Sequence, residues 1–539
     1  MDTPADADPV TDGGPAVVET HSALIVLYGD EAHKVRKRID LGFLDNRTVE
    51  ARAEQSRREV ELNSRLAPDV YDGVLEVRGP DGEVIDHVVR MRRLPSGRSL
   101  ESLVRSRASG SGRVGDPDLG AGVREVARQL DHLHAASPHS EEIDAVGTAD
   151  AVAGLWRDSI DHLRRLSVGE DAPEIVDDVE WLAGEYLRGR DRLLRARIET
   201  GRVVDGHGDL LAADVYLLDD GPRVIDCLEF DDRLRFGDAM LDAGFLAMDL
   251  DRVGARDLAA AFLAAYRDFS GDDAPSSLVH HYIGYRALVR AKVTAIRAEQ
   301  SENCGADARL ALALADRAVD ALLRARVRLI LVGGVSGSGK STLAAPLAVA
   351  LGAELLRSDE LRFDELGSDE LGSDELGSDE LGSDELGSDV PAGGGAEGAR
   401  PRDDGNGDRY SEGAVSAVYS RMLARAGESL ALGRSVVLDA TWLDPRRRAQ
   451  AETVAADAHA ELVEISCTAP HAELVRRIEE RGRTGTDPSE ATVAVLESQL
   501  ADLAPWPDAI EVDTTDLDSR SADAVQDWAA RTLGPLPWA

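Results

Sequence analysis

Eight consecutive residues carry the clearest chemical signal in the chain: Gly334-Val335-Ser336-Gly337-Ser338-Gly339-Lys340-Ser341. A glycine-rich loop can turn several backbone N–H groups toward one anion, because no Cβ blocks the approach. With a helix N-terminus next in line the loop becomes a phosphate cradle. Lys340 then reaches the β/γ oxygens, and the Ser341 hydroxyl is placed to ligate Mg2+. The pattern needs a strand before it and a helix after it, and both are legible: 327–332 is an apolar run and 342–351 reads as a helix. Gly334 through Thr342 is therefore the expected nucleotide-binding loop, rather than a chance Gly/Ser-rich turn.

A second constellation lies upstream. His207-Gly208-Asp209-Leu210 is followed by Asp214 and then by Asp226 in Val224-Ile225-Asp226-Cys227. An aspartate five residues before a metal-binding position, then a strand-borne aspartate about twelve residues later, is the layout of a kinase-like catalytic loop and its metal ligand. Asp209 would orient or deprotonate an acceptor hydroxyl, while Asp214 and Asp226 would hold Mg2+. Such a site also needs a lysine on the α/β-phosphates and a helix carboxylate to match it. Lys34 and Glu59 are the residues expected there; Lys37 competes with Lys34, since register in a short strand slips easily. The plainer reading makes HGDL a surface turn and IDC a buried strand.

Further groups stand where a small P-loop kinase needs them. Asp359 and Arg362 follow a strand at 354–356, and Asp439 closes the apolar strand 435–438. Arg477 and Arg481 fall at i, i+4 on one helix face, within reach of a transferring phosphate. An exposed loop acid and a solvated basic face are the ordinary alternatives. Arg286, Arg290 and Arg297, with Lys292 close by, form a basic stripe that could receive an anionic acceptor, although such residues more often pair with neighbouring acids. His132 and His134, at i, i+2, lie on different helix faces, which argues against a metal site.

These residues need elements to hold them. Strand patterns at 17–28, 33–35, 73–77 and 84–91, with one helix near 51–66, describe a small α+β lobe. Helical spacing follows at Val123, Val126, Leu130 and Leu133, and again at Val179, Leu182, Tyr186 and Leu187 up to Gly201. Short strands at 203–204, 215–218 and 224–228 then surround the two aspartate motifs. The expected organisation is a disordered acidic tail at 1–15, a domain at 16–305, a linking helix at 306–326 and a second domain at 327–539. Residues 364–388 are five tandem copies of Asp-Glu-Leu-Gly-Ser. A five-residue period turns successive leucines by about 140° around a helix, so they share no face. The repeat and the Gly- and Asp-rich sequence to residue 408 are expected to form a disordered acidic insert.

On HGDL, IDCLEFDD and the later Gly237-Asp238 and Asp242, residues 17–305 resemble the aminoglycoside phosphotransferase-like kinases. The resemblance implies a bilobal α+β protein-kinase-like fold, with nucleotide between the lobes and acceptor over the C-terminal lobe. The chain departs from that group at Asp214, which stands in place of the usual asparagine and adds negative charge near the phosphates. Residues 327–515 resemble the polynucleotide kinase and zeta-toxin group, which implies an α/β P-loop NTPase fold with a central parallel sheet. Its D-x-x-R motif falls on Asp359 as general base and Arg362 as acceptor-holding group, and its lid arginines on Arg477 and Arg481. Asp439 would orient Arg362 or water on the metal. The repeat insert enters directly after Arg362 and Phe363, beside that acceptor site. Together the resemblances imply a two-module phosphotransferase using ATP or a related nucleotide with Mg2+, acting on hydroxyls of small molecules. A nucleotide sensor without transfer, and a nucleic-acid 5′-hydroxyl kinase in the C-terminal module, are the alternatives.

Composition sets the outer bounds. Acidic residues number 101 against 61 basic, a formal net charge of −40. Such a surface repels polyanions and counts against nucleic acid as a partner. Only four of the 61 basic residues are lysine (Lys34, Lys37, Lys292 and Lys340), and this excess of carboxylate resembles proteins of salt-loving organisms. No apolar run is long enough to span a membrane. Three cysteines cannot build a disulfide framework, and the first residues lack the regions of a signal peptide, so a cytoplasmic protein is expected. Oligomeric state is not legible.

Overall fold

The computed structural model describes residues 16–20, 22–40, 45–112, 115–165, 172–300, 304–361, 412–484, 492–515 and 521–538. The expected tail at 1–15, Arg362 and the repeat insert lie outside these. The described residues divide into two compact units: one runs to Arg326 and includes Ala431–Gly433 and the segment from Leu533, and the other comprises Val327–Leu430 and Arg434–Thr532.

In the first unit, β1 (Ala16–Glu19), β2 (Ala23–Tyr28), β3 (Glu31–Arg36), β4 (Tyr71–Arg78) and β5 (Val84–Arg92) form an antiparallel sheet of order β1-β2-β3-β5-β4. Period-two alternation along β3 puts Ala32, Lys34 and Arg36 on the buried face. The helix Val49–Asn63 starts at Thr48, whose side chain accepts from Ala51 N, and it packs on β4 and β5 with Glu59 on its buried side.

The rest of this unit is mainly helical. Ala239–Arg252 is buried from Ala239 to Leu250, as expected of a helix apolar nearly all round. The exceptions on it, Asp242 and Asp249, both accept bonds from loop backbone. Two small sheets carry the motifs: β6 (Val203–Asp205) pairs with β9 (Phe236–Asp238), and β7 (Val215–Leu218) with β8 (Gly221–Val224). The strand expected at 224–228 therefore stops at Val224, and Asp226 lies beyond the ladder. The helical stretch expected to run to Gly201 is broken after Arg188 into Ala172–Arg188 and Asp191–Glu199. The helix Cys304–Arg324 packs along Ser276–Gln300 inside the first unit.

In the second unit, β10 (Arg328–Gly333), β11 (Glu354–Arg357), β12 (Val436–Asp439), β13 (Glu461–Thr468) and β14 (Ile510–Asp513) form a parallel sheet of order β11-β12-β10-β13-β14. β10 and β12 are buried at every position, and their apolar stretches 329–333 and 436–438 are those of strands covered on both faces. Parallel register aligns Val332 and Arg357 with Asp439, so the loops after β10, β11 and β12 leave from one end of the sheet. No helix among the described residues is long and apolar enough to cross a membrane.

Candidate functional site

In the first unit Lys34 Nζ donates to Glu59 Oε1 at 2.8 Å and to Asp226 Oδ1 at 3.3 Å. Burial disfavours the ammonium, but Glu59, Asp226 and Glu229 overcome it and hold Lys34 above the usual lysine range. Arg36, on the same face of β3, donates to Glu59 Oε2 at 2.6 Å and pairs with Glu229 at 2.8 Å. Asn63, one turn after Glu59, donates to the Glu59 carbonyl at 2.9 Å and accepts from Cys227 N at 2.8 Å. The helix is thereby tied to the residue next to Asp226. Lys37 instead faces Thr20 O at 2.6 Å and Glu19 at 2.7 Å.

Asp226 has φ 64°, a conformation that non-glycine residues seldom adopt and that marks functional turns. Burial raises its carboxyl, yet Lys34 prevails and Asp226 lies below the ordinary range. Asp214 goes the other way: burial, then Asp226 and Asp209, push its carboxyl well above that range. Among the described residues no group of three or more His, Cys, Asp or Glu is gathered to hold a metal unaided. Mg2+ is commonly held by one or two carboxylates, with water and substrate phosphate completing its shell. Asp214 and Asp226 are such donors, and a dication would relieve their mutual repulsion; the residues fit the ion.

Behind Asp209, the Asp242 carboxylate accepts from His207 N at 2.7 Å and from Gly208 N at 2.9 Å. His134 Nε2 lies 3.1 Å from the same carboxylate and its Nδ1 2.8 Å from Tyr266 OH, so His134 braces a loop. Burial opposes ionisation of Asp242, but His134, His207 and Arg286 hold it well below the carboxylate range. Gly208 has φ 86°, and a Cβ there would meet Arg235 Cγ at 3.1 Å and Leu234 O at 3.2 Å. The motif's glycine is thus required by conformation and by space.

In the second unit the loop after β10 closes on itself: Gly334 N donates to Thr441 O and Ser338 N to Val335 O, each at 3.1 Å. At Gly334, φ 140°, a Cβ would lie 2.5 Å from Ser338 Oγ and 2.6 Å from Cys467 O. Gly337 and Gly339 also have positive φ, near 81° and 80°. Ser338 Oγ is buried without a hydrogen-bond partner among the described residues. Val335 packs with Leu474, Ile478 and Leu496, and Ser336 N donates to Gln499 Oε1 at 2.7 Å. Burial pushes the Cys467 thiol up to about 12, with Lys340 and Asp439 in electrostatic reach, so both converge on this end of the sheet.

The structure brings Arg477 to the loop in a particular way. Its Nε donates to Glu473 at 2.7 Å, Nη1 to Gly337 O at 3.3 Å and Thr514 Oγ1 at 3.1 Å, and Nη2 to Thr514 O at 2.8 Å. All three nitrogens of Arg477, which the resemblance gives as a lid arginine, are hydrogen-bonded to protein and tie its helix to the loop. Arg481, one turn on, is half-buried. Asp439 is buried and accepts from Arg357 Nε at 3.2 Å, a partner the sequence reading did not consider. Asp359 is half-buried in the helical turn 358–361 directly after β11.

Arg36, Glu229, Asn63, Gln499, Thr514 and Arg357 were missed as positioning groups. Two had a local signal: Arg36 is i+2 from Lys34 on a strand, and Asn63 is i+4 from Glu59 on a helix. Gln499 and Thr514 reach the loop from more than 150 residues away, and nothing local marks them.

Fold and site geometry define a two-lobed kinase-like unit followed by a P-loop NTPase unit. The model of the AAA domain family matches residues 329–506. The chain is 38% identical over 528 residues to uncharacterized protein Rv2004c of Mycobacterium tuberculosis, covering 97% of this chain and 98% of that one. Uncharacterized protein Mb2027c of Mycobacterium bovis matches over the same lengths at the same 38% identity. The chain belongs to the family of these mycobacterial proteins. Among solved structures it is similar to a choline/ethanolamine kinase family protein from Mesorhizobium loti, at 15% identity and TM-score 0.34, over 58% of this chain and 94% of that one. It is also similar to a putative kinase from Chloroflexus aurantiacus, at 21% identity and TM-score 0.27, over 39% and 96%. Likenesses this distant decide nothing about chemistry.

Proposed function

We propose that the chain is an ATP-dependent phosphotransferase with two separate sites, each acting on a hydroxyl of a small molecule. The observation that carries the reading is the convergence of Lys34, Glu59 and Asp226 from three elements of the first unit. In that site Lys34 would bind the α/β-phosphates, held by Glu59. Asp214 and Asp226 would hold Mg2+, which neutralises charge on the phosphates when bound. Asp209 would accept the proton of the acceptor hydroxyl as its oxygen bonds to the γ-phosphorus. The bond from that phosphorus to the β,γ-bridging oxygen breaks, and ADP leaves with the electron pair.

In the second unit Gly334 to Thr342 would cradle the nucleotide, with Lys340 on the β/γ oxygens and Ser341 toward the metal. Asp359 would serve as base and Arg481 as the phosphate-facing arginine, with Arg362 and Asp439 on the acceptor side. The commitment of Arg477 favours a second reading for this unit alone, in which nucleotide is bound without transfer. The test is a metabolite-phosphorylation and phosphate-release screen on the full chain, Asp209→Ala and Lys340→Ala. Loss of a different product in each variant supports two transferases. Bound nucleotide with no product from any acceptor sinks the proposal in favour of a sensor.

A further inference from the structure

We infer that the acceptor at the Asp209 site is itself an anion, a hydroxyl-bearing small molecule carrying a phosphate or carboxylate that Arg286 and Arg290 grip. The inference rests on the phosphotransferase reading of the first unit. Arg286 is 7% exposed, donates from Nε to Leu241 O at 3.2 Å, and lies over the Phe245 ring at 4.5 Å. Among the described residues no carboxylate forms an ion pair with it, although Asp242 is in electrostatic reach. Among the described residues its terminal nitrogens have no acceptor, and they are not among the fully buried polar atoms that lack one. Leaving a buried guanidinium without a carboxylate is costly, and Arg197, equally buried, is held by Asp238 and Asp272.

Position links the pair to the catalytic loop. Asp242, next to Leu241, holds the backbone of His207 and Gly208, and Asp242 and Asp209 are the acids in electrostatic reach of Arg286. Ser276–Gln300 crosses Ala239–Arg252 antiparallel, since Tyr282 and Ile283 pack on Gly244 while Arg286 reaches back to Leu241. Arg290 follows Arg286 by one turn on the same face of Ser276–Gln300. It is half-buried and makes no hydrogen bond or ion pair with the described residues. The other members of the stripe are occupied: Arg297 pairs with Asp307 at 2.7 Å, and Lys292 donates to Ser159 at 3.2 Å. Two forked guanidinium groups a turn apart suit the planar oxygens of a carboxylate or the face of a phosphate.

The experiment uses the full chain carrying Lys340→Ala, with ATP and matched acceptors: glycerol against glycerol 3-phosphate and glycerate, ribose against ribose 5-phosphate. Product is expected only from charged members, and the phosphate and carboxylate arms identify which anion is read. Arg290→Gln should raise the acceptor KM about tenfold or more, the effect of losing one charge-assisted bond, and leave the KM for ATP unchanged. Arg297→Gln should alter neither. Calorimetric titration with inorganic phosphate should show binding that Arg290→Gln weakens. Equal turnover of neutral acceptors, or an unchanged acceptor KM and phosphate affinity in Arg290→Gln, overturns the inference alone. Nucleotide binding with no product from any acceptor overturns the phosphotransferase reading and this inference with it.

Discussion

Lys34 Nζ lies 2.8 Å from Glu59 Oε1, and the two residues come from different elements, β3 and the helix Val49–Asn63. Arg36 occupies the other Glu59 oxygen and reaches on to Glu229. The helix cannot swing away without stranding buried cations, so the Lys34 ammonium is held in one place.

Arg36→Leu leaves Glu59 with one partner and Glu229 without its guanidinium, both in a nearly water-free setting. Urea unfolding of the first unit should show a loss of about 3–5 kcal/mol, the cost of breaking a buried pair from one side. Glu229→Gln in the same background should return part of it.

Asp242→Asn keeps one acceptor for the backbone of the His207–Asp209 loop and points an amide at the other N–H. Transfer at the Asp209 site should fall about 5- to 150-fold in kcat, for about 1–3 kcal/mol of lost positioning, while the KM for ATP holds. A parallel rise in the KM for ATP would count against a role confined to Asp209.

Gly334→Ala forces a Cβ to 2.6 Å from Cys467 O in a backbone conformation that alanine resists. Fluorescent-nucleotide titration of the Asp209→Ala chain should show binding at the second unit lost. Gly413→Ala, in open space, should leave it intact.

His280 and His281 are wholly buried, and burial lowers their pKa to about 4 and about 3. Both values lie below the unfolded one, so the stability they contribute is complete above pH 6.5 and drains as pH falls toward 4 and then 3. The slope is about 1.4 kcal/mol per pH unit for each histidine. Denaturation midpoints at pH 7 and pH 5 should differ accordingly, and His281→Gln, which can still accept from Trp156, should shrink the difference.

Short-range order decided much of this protein before any folding. The P-loop motif, the apolar run that becomes β10, the HGD and IDC motifs and the alternation that turns Lys34 inward are properties of neighbouring residues, and periodicity reports them directly. The strand expected at 224–228 failed for a reason no pattern contains: Asp226 takes a left-handed turn, because Lys34 and Asn63 from the other lobe hold the segment around it.

The same holds in the second unit, where composition made Arg477 a cation on a helix face and only packing decided that its donors are used up by Glu473, Gly337 and Thr514. Residue type and spacing determined which chemistry is available to this chain. Tertiary structure decided which charges are matched within the protein and which stay open, because a buried ion's partner is set by three-dimensional approach rather than by distance along the chain.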